Sequence, residues 1–129
     1  MTPEGLSIGQ VAERTGLSVH TLRFYEKAGI FLTPPRRDPG GRRVYTEDDI
    51  GWLTLCTILR AADMSLDDIR RYTELVRAGE GNEPERITLL RQHQALVQTR
   101  QEQLDRCLDL ITFKIGVYED ILDQQQVRH

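Results

Sequence analysis

The sequence predicts a mainly α chain: two short helices on a tight turn, a small β-hairpin, two core helices and one long dimerising helix. Three observations carry that prediction. Ser7 to Lys27 (SIGQVAERTGLSVHTLRFYEK) holds two amphipathic helical patterns joined at Thr15-Gly16-Leu17. Phe31 to Tyr45 (FLTPPRRDPGGRRVY) breaks the helical period with three prolines and a Gly40-Gly41 pair. From Ile87 onward, apolar residues recur every three and four positions, the spacing of a coiled-coil seam.

Composition sets the limits. A chain of 129 residues with 39% hydrophobic and 29% charged content can bury one modest core, so one compact head plus an elongated element fits better than two globules. The net charge of -3 is unevenly spread. Residues 1–45 hold 7 basic and 4 acidic side chains, whereas residues 46–129 hold 10 and 16. A basic head on an acidic body is the pattern of a localised nucleic-acid footprint, although +3 alone is also compatible with ordinary surface variation. No apolar run approaches the roughly 18 residues that span a bilayer, and Met1 to Leu6 has no signal-peptide character. A soluble, cytoplasmic protein with no membrane partner is expected. Cys56 and Cys107 are too few for a disulfide framework and form no paired metal motif, so neither a metal site nor a cofactor is expected.

Ser7 and Gln10 have capping-box spacing, which starts the first helix near Ile8. Ile8, Val11 and Ala12 share a face, Gly16 supplies the positive φ of a sharp turn, and Ser18 caps the second helix. Val19, Leu22 and Tyr25 line its inner face; Ser18, His20, Thr21, Arg23, Phe24 and Lys27 remain around the outer one. That outer set suits a DNA major groove, where arginine binds guanine through two hydrogen bonds and threonine or phenylalanine touches a thymine methyl. An ordinary helical hairpin with a solvated face has the same local spacing.

Gly29 ends the second helix. Gly40-Gly41 reads as a two-residue hairpin turn flanked by Arg36, Arg37, Arg42 and Arg43, a density that favours phosphate contact on an element with little core to join. Thr46 with Asp49 caps a third helix, and Ser65 with Asp68 a fourth; both are apolar on wide faces and should form the core. Ala78 to Asn82 is a glycine-containing joint before the long helix. Its seam runs Ile87, Leu90, Gln94, Val97, Gln101, Leu104, Leu108, Ile111, Ile115, Tyr118 and Leu122. A helix of this length, on the order of 60 Å, exceeds what a small head can cover, so a homodimer is inferred. The expected division is a head at 1–78, a joint at 79–83, a dimerisation helix at 84–126 and a tail at 127–129.

The joined pattern is a winged helix-turn-helix head with a small β-hairpin wing, followed by a long dimerising coiled-coil helix. The segments SIGQVAERTGLSVHTLRFYEKAGI, RRDPGGRRVYTEDDI and LRAADMSLDDIRRY, with the joint and long helix, closely resemble the MerR family of bacterial transcription regulators. The resemblance covers nearly the whole chain, and Thr21 to Glu26 is its most specific run. It implies an antiparallel dimer that binds a palindromic operator in double-stranded promoter DNA. The family deforms an overlong promoter spacer so that RNA polymerase can use both promoter elements. It also implies that His20, Thr21, Arg23 and Phe24 face the groove while Arg36, Arg37, Arg43 and Tyr45 hold the backbone.

Two positions depart from the family's habit. Phe24 stands where tyrosine is common, and Arg42 where the wing tyrosine is usual. Little sequence follows the long helix, so the resemblance implies no separate ligand-binding domain. The cysteines of metal-sensing relatives are absent, with Asn82 to Glu85 and Asp123 to Gln126 in their places. The short branch answering to aldehydes, electrophiles or thiol stress is the more similar, leaving an unknown small-molecule or redox effector. Its reactive cysteine would fall at Ile58, two residues and about 200° of helix from Cys56. Cys56 therefore reads as a buried, inert thiol, and Cys107, beside the seam, as the other candidate redox residue. His20, His93 and His129 are scattered, and nothing forms a catalytic cluster, so an enzyme is not expected. A coiled-coil interaction module is the rival reading, but it leaves the arginine-rich hairpin without a purpose.

Overall fold

A computed structural model describes residues 5–34 and 36–127. The elements run α1 (Ile8–Thr15), α2 (Val19–Lys27), β1 (Arg36–Arg37), β2 (Arg43–Val44), α3 (Glu47–Ala61), α4 (Leu66–Arg77) and α5 (Glu83–Val127). This is the mainly α, winged arrangement expected.

The helix starts are made by the residues that local spacing singles out. Ser7 Oγ accepts from Gln10 N–H at 3.1 Å while Gln10 Oε1 accepts from Ser7 N–H at 2.8 Å, closing the capping box. Thr46 and Asp49 repeat the device on α3 at 3.2 and 2.9 Å. Ser18 and Ser65 each accept from the backbone N–H three residues on. Each cap satisfies an N–H that would otherwise lack a partner, a contribution of about 1 kcal/mol. Gly16, at φ 75°, closes α1 by donating to Ala12 C=O and turns the chain into α2.

The hairpin differs from the expected two-residue turn. Arg36 pairs with Val44 and Arg37 with Arg43, Asp38 N–H donates to Arg42 C=O, and Gly41 N–H returns to Asp38 C=O. The loop is thus Pro39-Gly40-Gly41. Pro39 suits the first central position of a type I turn, and Gly41 takes the left-handed conformation that restores the register, at φ 82°. Asp38 Oδ1 braces the loop by accepting from Arg42 N–H. Leu6 adds a bridge that periodicity does not reveal, exchanging two 2.8 Å backbone hydrogen bonds with Tyr45. Gly5 permits this approach, because a Cβ there would come within 2.6 Å of Val44 Cβ.

Val11, Leu22, Tyr25, Ile30, Phe31, Tyr45, Ile50, Leu53, Cys56, Met64 and Ile69 form the core with Leu89. Trp52 stacks on Tyr72, ring centres 5.6 Å apart, at its margin. Arg14 ties α1 to α3 through a two-pronged contact with Glu47, both bonds 2.8 Å. The chain divides into two units, the first extending to Leu90 and the second beginning at Arg91. The first unit therefore runs past residue 78 to include the start of α5, because Leu89 is buried with the head. In the second unit every residue from Gln94 to Ile115 is exposed. Beyond Val127, the expected tail lies outside the described residues. No helix among those described is long and apolar enough to cross a membrane.

Candidate nucleic-acid interface

The second helix and the hairpin enclose one shallow groove. His20, Arg23, Phe24, Glu26 and Lys27 line it from α2, and Arg37, Gly41, Arg42 and Arg43 from the hairpin, with Ser7 and Ile8 at its edge. Burial of Leu22 and Tyr25 sets the roll of α2, since their descent into the core turns Arg23, Phe24 and Lys27 outward. Phe24 is 52% exposed and lines the groove beside Arg23.

Seven of the eleven expected DNA-facing residues share this groove: His20, Arg23, Phe24, Lys27, Arg37, Arg42 and Arg43. Ser18 and Thr21 stand apart at the start of α2. Their hydroxyls bond each other at 2.9 Å while Ser18 caps the helix. Arg36 is exposed on β1 outside the groove. Among the described residues, the side chains of Arg23, Lys27, Arg36 and Arg42 make no hydrogen bond or ion pair, so their donors are open to an anionic partner. Arg37 is partly engaged, donating to Gly41 C=O at 2.8 Å across the hairpin loop.

Tyr45 is placed otherwise than expected. It is 2% exposed and belongs to the core, edge-on to Phe31, so its side chain does not present itself to a DNA backbone. Its hydroxyl donates to Glu26 Oε1 at 3.3 Å. Burial raises the Tyr45 pKa, opposed by the charges of Arg43 and Arg23. The hydroxyl therefore stays protonated and able to donate at neutral pH. Glu26 also ion-pairs with Arg43, making Arg43 a tie between the hairpin and α2 in place of the freely offered phosphate ligand expected. Local reading missed Glu26, although an acidic side chain on an otherwise basic helix face was a usable signal. A second omission is Arg77, which holds the linker after α2 from α4.

The cysteines separate cleanly. Cys56 is 1% exposed and burial pushes its thiol up to about 11, so only about one molecule in a thousand carries the thiolate at pH 8. Cys107 is exposed. A disulfide reagent at pH 8 is expected to leave Cys56 unmodified until the protein is unfolded, as mapped by peptide mass spectrometry. Rapid labelling of Cys56 in the native protein would contradict its assignment as a core residue. Among the described residues, no group of three histidine, cysteine or acidic side chains could hold a metal ion.

The chain matches the MerR HTH family regulatory protein over residues 6–75 and the family described as MerR, DNA binding over residues 50–112. An uncharacterised HTH-type transcriptional regulator of Haemophilus influenzae is 37% identical over 110 residues, covering 85% of this chain and 81% of its own. HiNmlR, a MerR family regulator lacking the sensor domain, has been solved bound to promoter DNA. It is similar with a TM-score of 0.79 at 35% identity, across 90% of this chain and 91% of that one. A MerR family transcriptional regulator from Bacillus thuringiensis gives a TM-score of 0.75 at 26% identity, covering 87% and 97%. These relatives are regulators, not enzymes. The matches span the head whose groove is described above as well as the start of α5, and the chain belongs to the MerR family of helix-turn-helix regulatory proteins.

Proposed function

We propose that this regulator acts as a homodimer on a palindromic operator in an overlong promoter spacer, which it bends and untwists so that RNA polymerase engages both promoter elements. The observation that carries the reading is the meeting of cationic side chains from α2 and the hairpin along one groove, of which Arg23, Lys27 and Arg42 make no hydrogen bond or ion pair among the described residues. Arg23 is assigned to a base edge, with His20, Thr21 and Phe24 beside it and Ser18 at the helix end. Lys27, Arg36, Arg37 and Arg42 are assigned to phosphates. Arg43 and Tyr45 serve the same contact indirectly, through Glu26. The similarity to HiNmlR, solved bound to promoter DNA, supports promoter DNA as the partner.

Dimerisation is assigned to Ile87, Leu90, Val97, Leu104, Leu108, Ile111, Ile115, Tyr118 and Leu122. All nine are exposed in the single chain, the first at 47% and the last at 57%. Nonpolar area on this scale is covered in a stable soluble protein, and the heptad spacing fits a second α5. The division into head, joint at 79–83 and dimerisation helix follows from that pairing. The protein works where DNA is, in the cytoplasm, under a small-molecule, electrophile or redox signal; Cys107 is the only one of the two thiols open to such a reagent.

An operator selected from random DNA provides the test. The wild type is expected to bind it with affinity that falls steeply as salt rises. Arg42→Ala should weaken operator and random DNA by the same factor and lower the salt slope by about one. A base preference altered by Arg42→Ala would remove Arg42 from the phosphate set.

A further inference from the structure

The linker that joins α2 to the hairpin is held by side chains of α3 and α4. Four consecutive carbonyls are taken up in this way. Arg77 donates from Nε to Leu32 C=O at 3.0 Å and from one terminal nitrogen to Gly29 C=O at 3.3 Å and to Phe31 C=O. Trp52 Nε1 donates to the remaining one, Ile30 C=O, at 2.7 Å. A planar guanidinium gathers several carbonyls at fixed angles, which an ammonium group cannot do. The four carbonyls lie only a few residues before Arg36, so holding them constrains where the chain enters the hairpin. Arg77 is also the last residue of α4, and that end of α4 is fastened in turn to the start of α5. Asn82 Nδ2 donates to Leu75 C=O at 2.7 Å, and Arg86 donates to Leu75 C=O at 3.1 Å and to Gly79 C=O.

We propose that Arg77 is a positioning residue for DNA binding: by clamping the linker from α4, it sets the spacing between α2 and the hairpin arginines. This inference rests on the DNA-binding role given above. Because the clamp stands on the fastened end of α4, a shift at the start of α5 reaches the hairpin through Arg77. Arg77 itself touches no DNA in this scheme, and among the described residues it makes no hydrogen bond with Arg42.

A double-mutant cycle between Arg77→Lys and Arg42→Ala tests it on the full-length dimer. Each single change is expected to lower operator affinity about tenfold, on the scale of one lost phosphate contact. Distant independent positions would multiply to about a hundredfold, whereas a clamp that works through the hairpin leaves the double variant near the tenfold loss of either single. Multiplying losses overturn the proposal. A second reading does not involve DNA: amide exchange across 29–37 should quicken about tenfold in Arg77→Lys while α3 is unchanged. Unaltered exchange in the linker overturns the proposal even if binding falls. Failure of the wild type to prefer an operator over random DNA would instead defeat the functional reading, with the exchange result still deciding Arg77. If Arg77→Lys does not fold, Arg77→Gln, which keeps one planar donor group but cannot gather three carbonyls, carries both measurements with the same deciding outcomes.

Discussion

Arg23→Ala is expected to weaken binding to the specific operator by about 10- to 100-fold, the scale of one base contacted through two hydrogen bonds. Random DNA should lose far less. The difference follows from position: Arg23 lies on the exposed side of α2, next to the buried Leu22, and its side chain makes no hydrogen bond or ion pair among the described residues. Its guanidinium is therefore available in full to a partner. A phosphate contact would lose affinity on every sequence alike and reduce the salt slope, whereas a base contact changes the ranking of sequences. Competition gel shifts on the operator, on single-base variants and on random DNA distinguish the two. Equal losses on all would reassign Arg23 to the backbone.

The second large effect is expected at the seam. Leu104→Glu combined with Ile111→Glu places two carboxylates at residues 65% and 49% exposed in the single chain, which we assign to the dimer seam. Burying unpaired charge there costs more than the seam can return. Sedimentation should show a monomer, and operator affinity should drop about 100-fold or more as two linked half-sites become independent. The head should keep its fold, since neither residue belongs to its core. The near-ultraviolet signal of Trp52, stacked on Tyr72, reports that directly. A dimer that persists with both charges in place would move the interface off this face of α5.

Local chemistry was legible in the sequence wherever both partners lie within a helical turn of each other. Ser7 with Gln10, Thr46 with Asp49, and Ser18 and Ser65 with the N–H groups three residues on all stand as capping spacing requires. Groove residues on α2 were legible for a related reason, because the apolar period fixes which side remains outside. Contacts between distant segments were not. The family resemblance implied that Tyr45 holds the DNA backbone, yet Leu6 pairs with its backbone and Phe31 with its ring. Nothing near Tyr45 in sequence announces either partner. Glu26 lies 19 residues from Tyr45, and Arg77 lies 45 to 48 residues from the carbonyls it holds. The hairpin loop failed for a subtler reason: Gly40-Gly41 was sufficient for a two-residue turn, but Pro39 has a φ suited to a type I turn and adds one residue to the loop.

Promoter distortion is tested most directly by transcription from one promoter in two spacer lengths, with purified RNA polymerase and the regulator in its activated form. One template carries the overlong spacer with the operator at its centre, and the other has the spacer shortened to ordinary length with both half-sites kept. If the dimer works by bending and untwisting, it should raise transcription strongly on the first template and fail to raise it on the second. Equal stimulation of both would contradict distortion and leave recruitment of the polymerase as the mechanism.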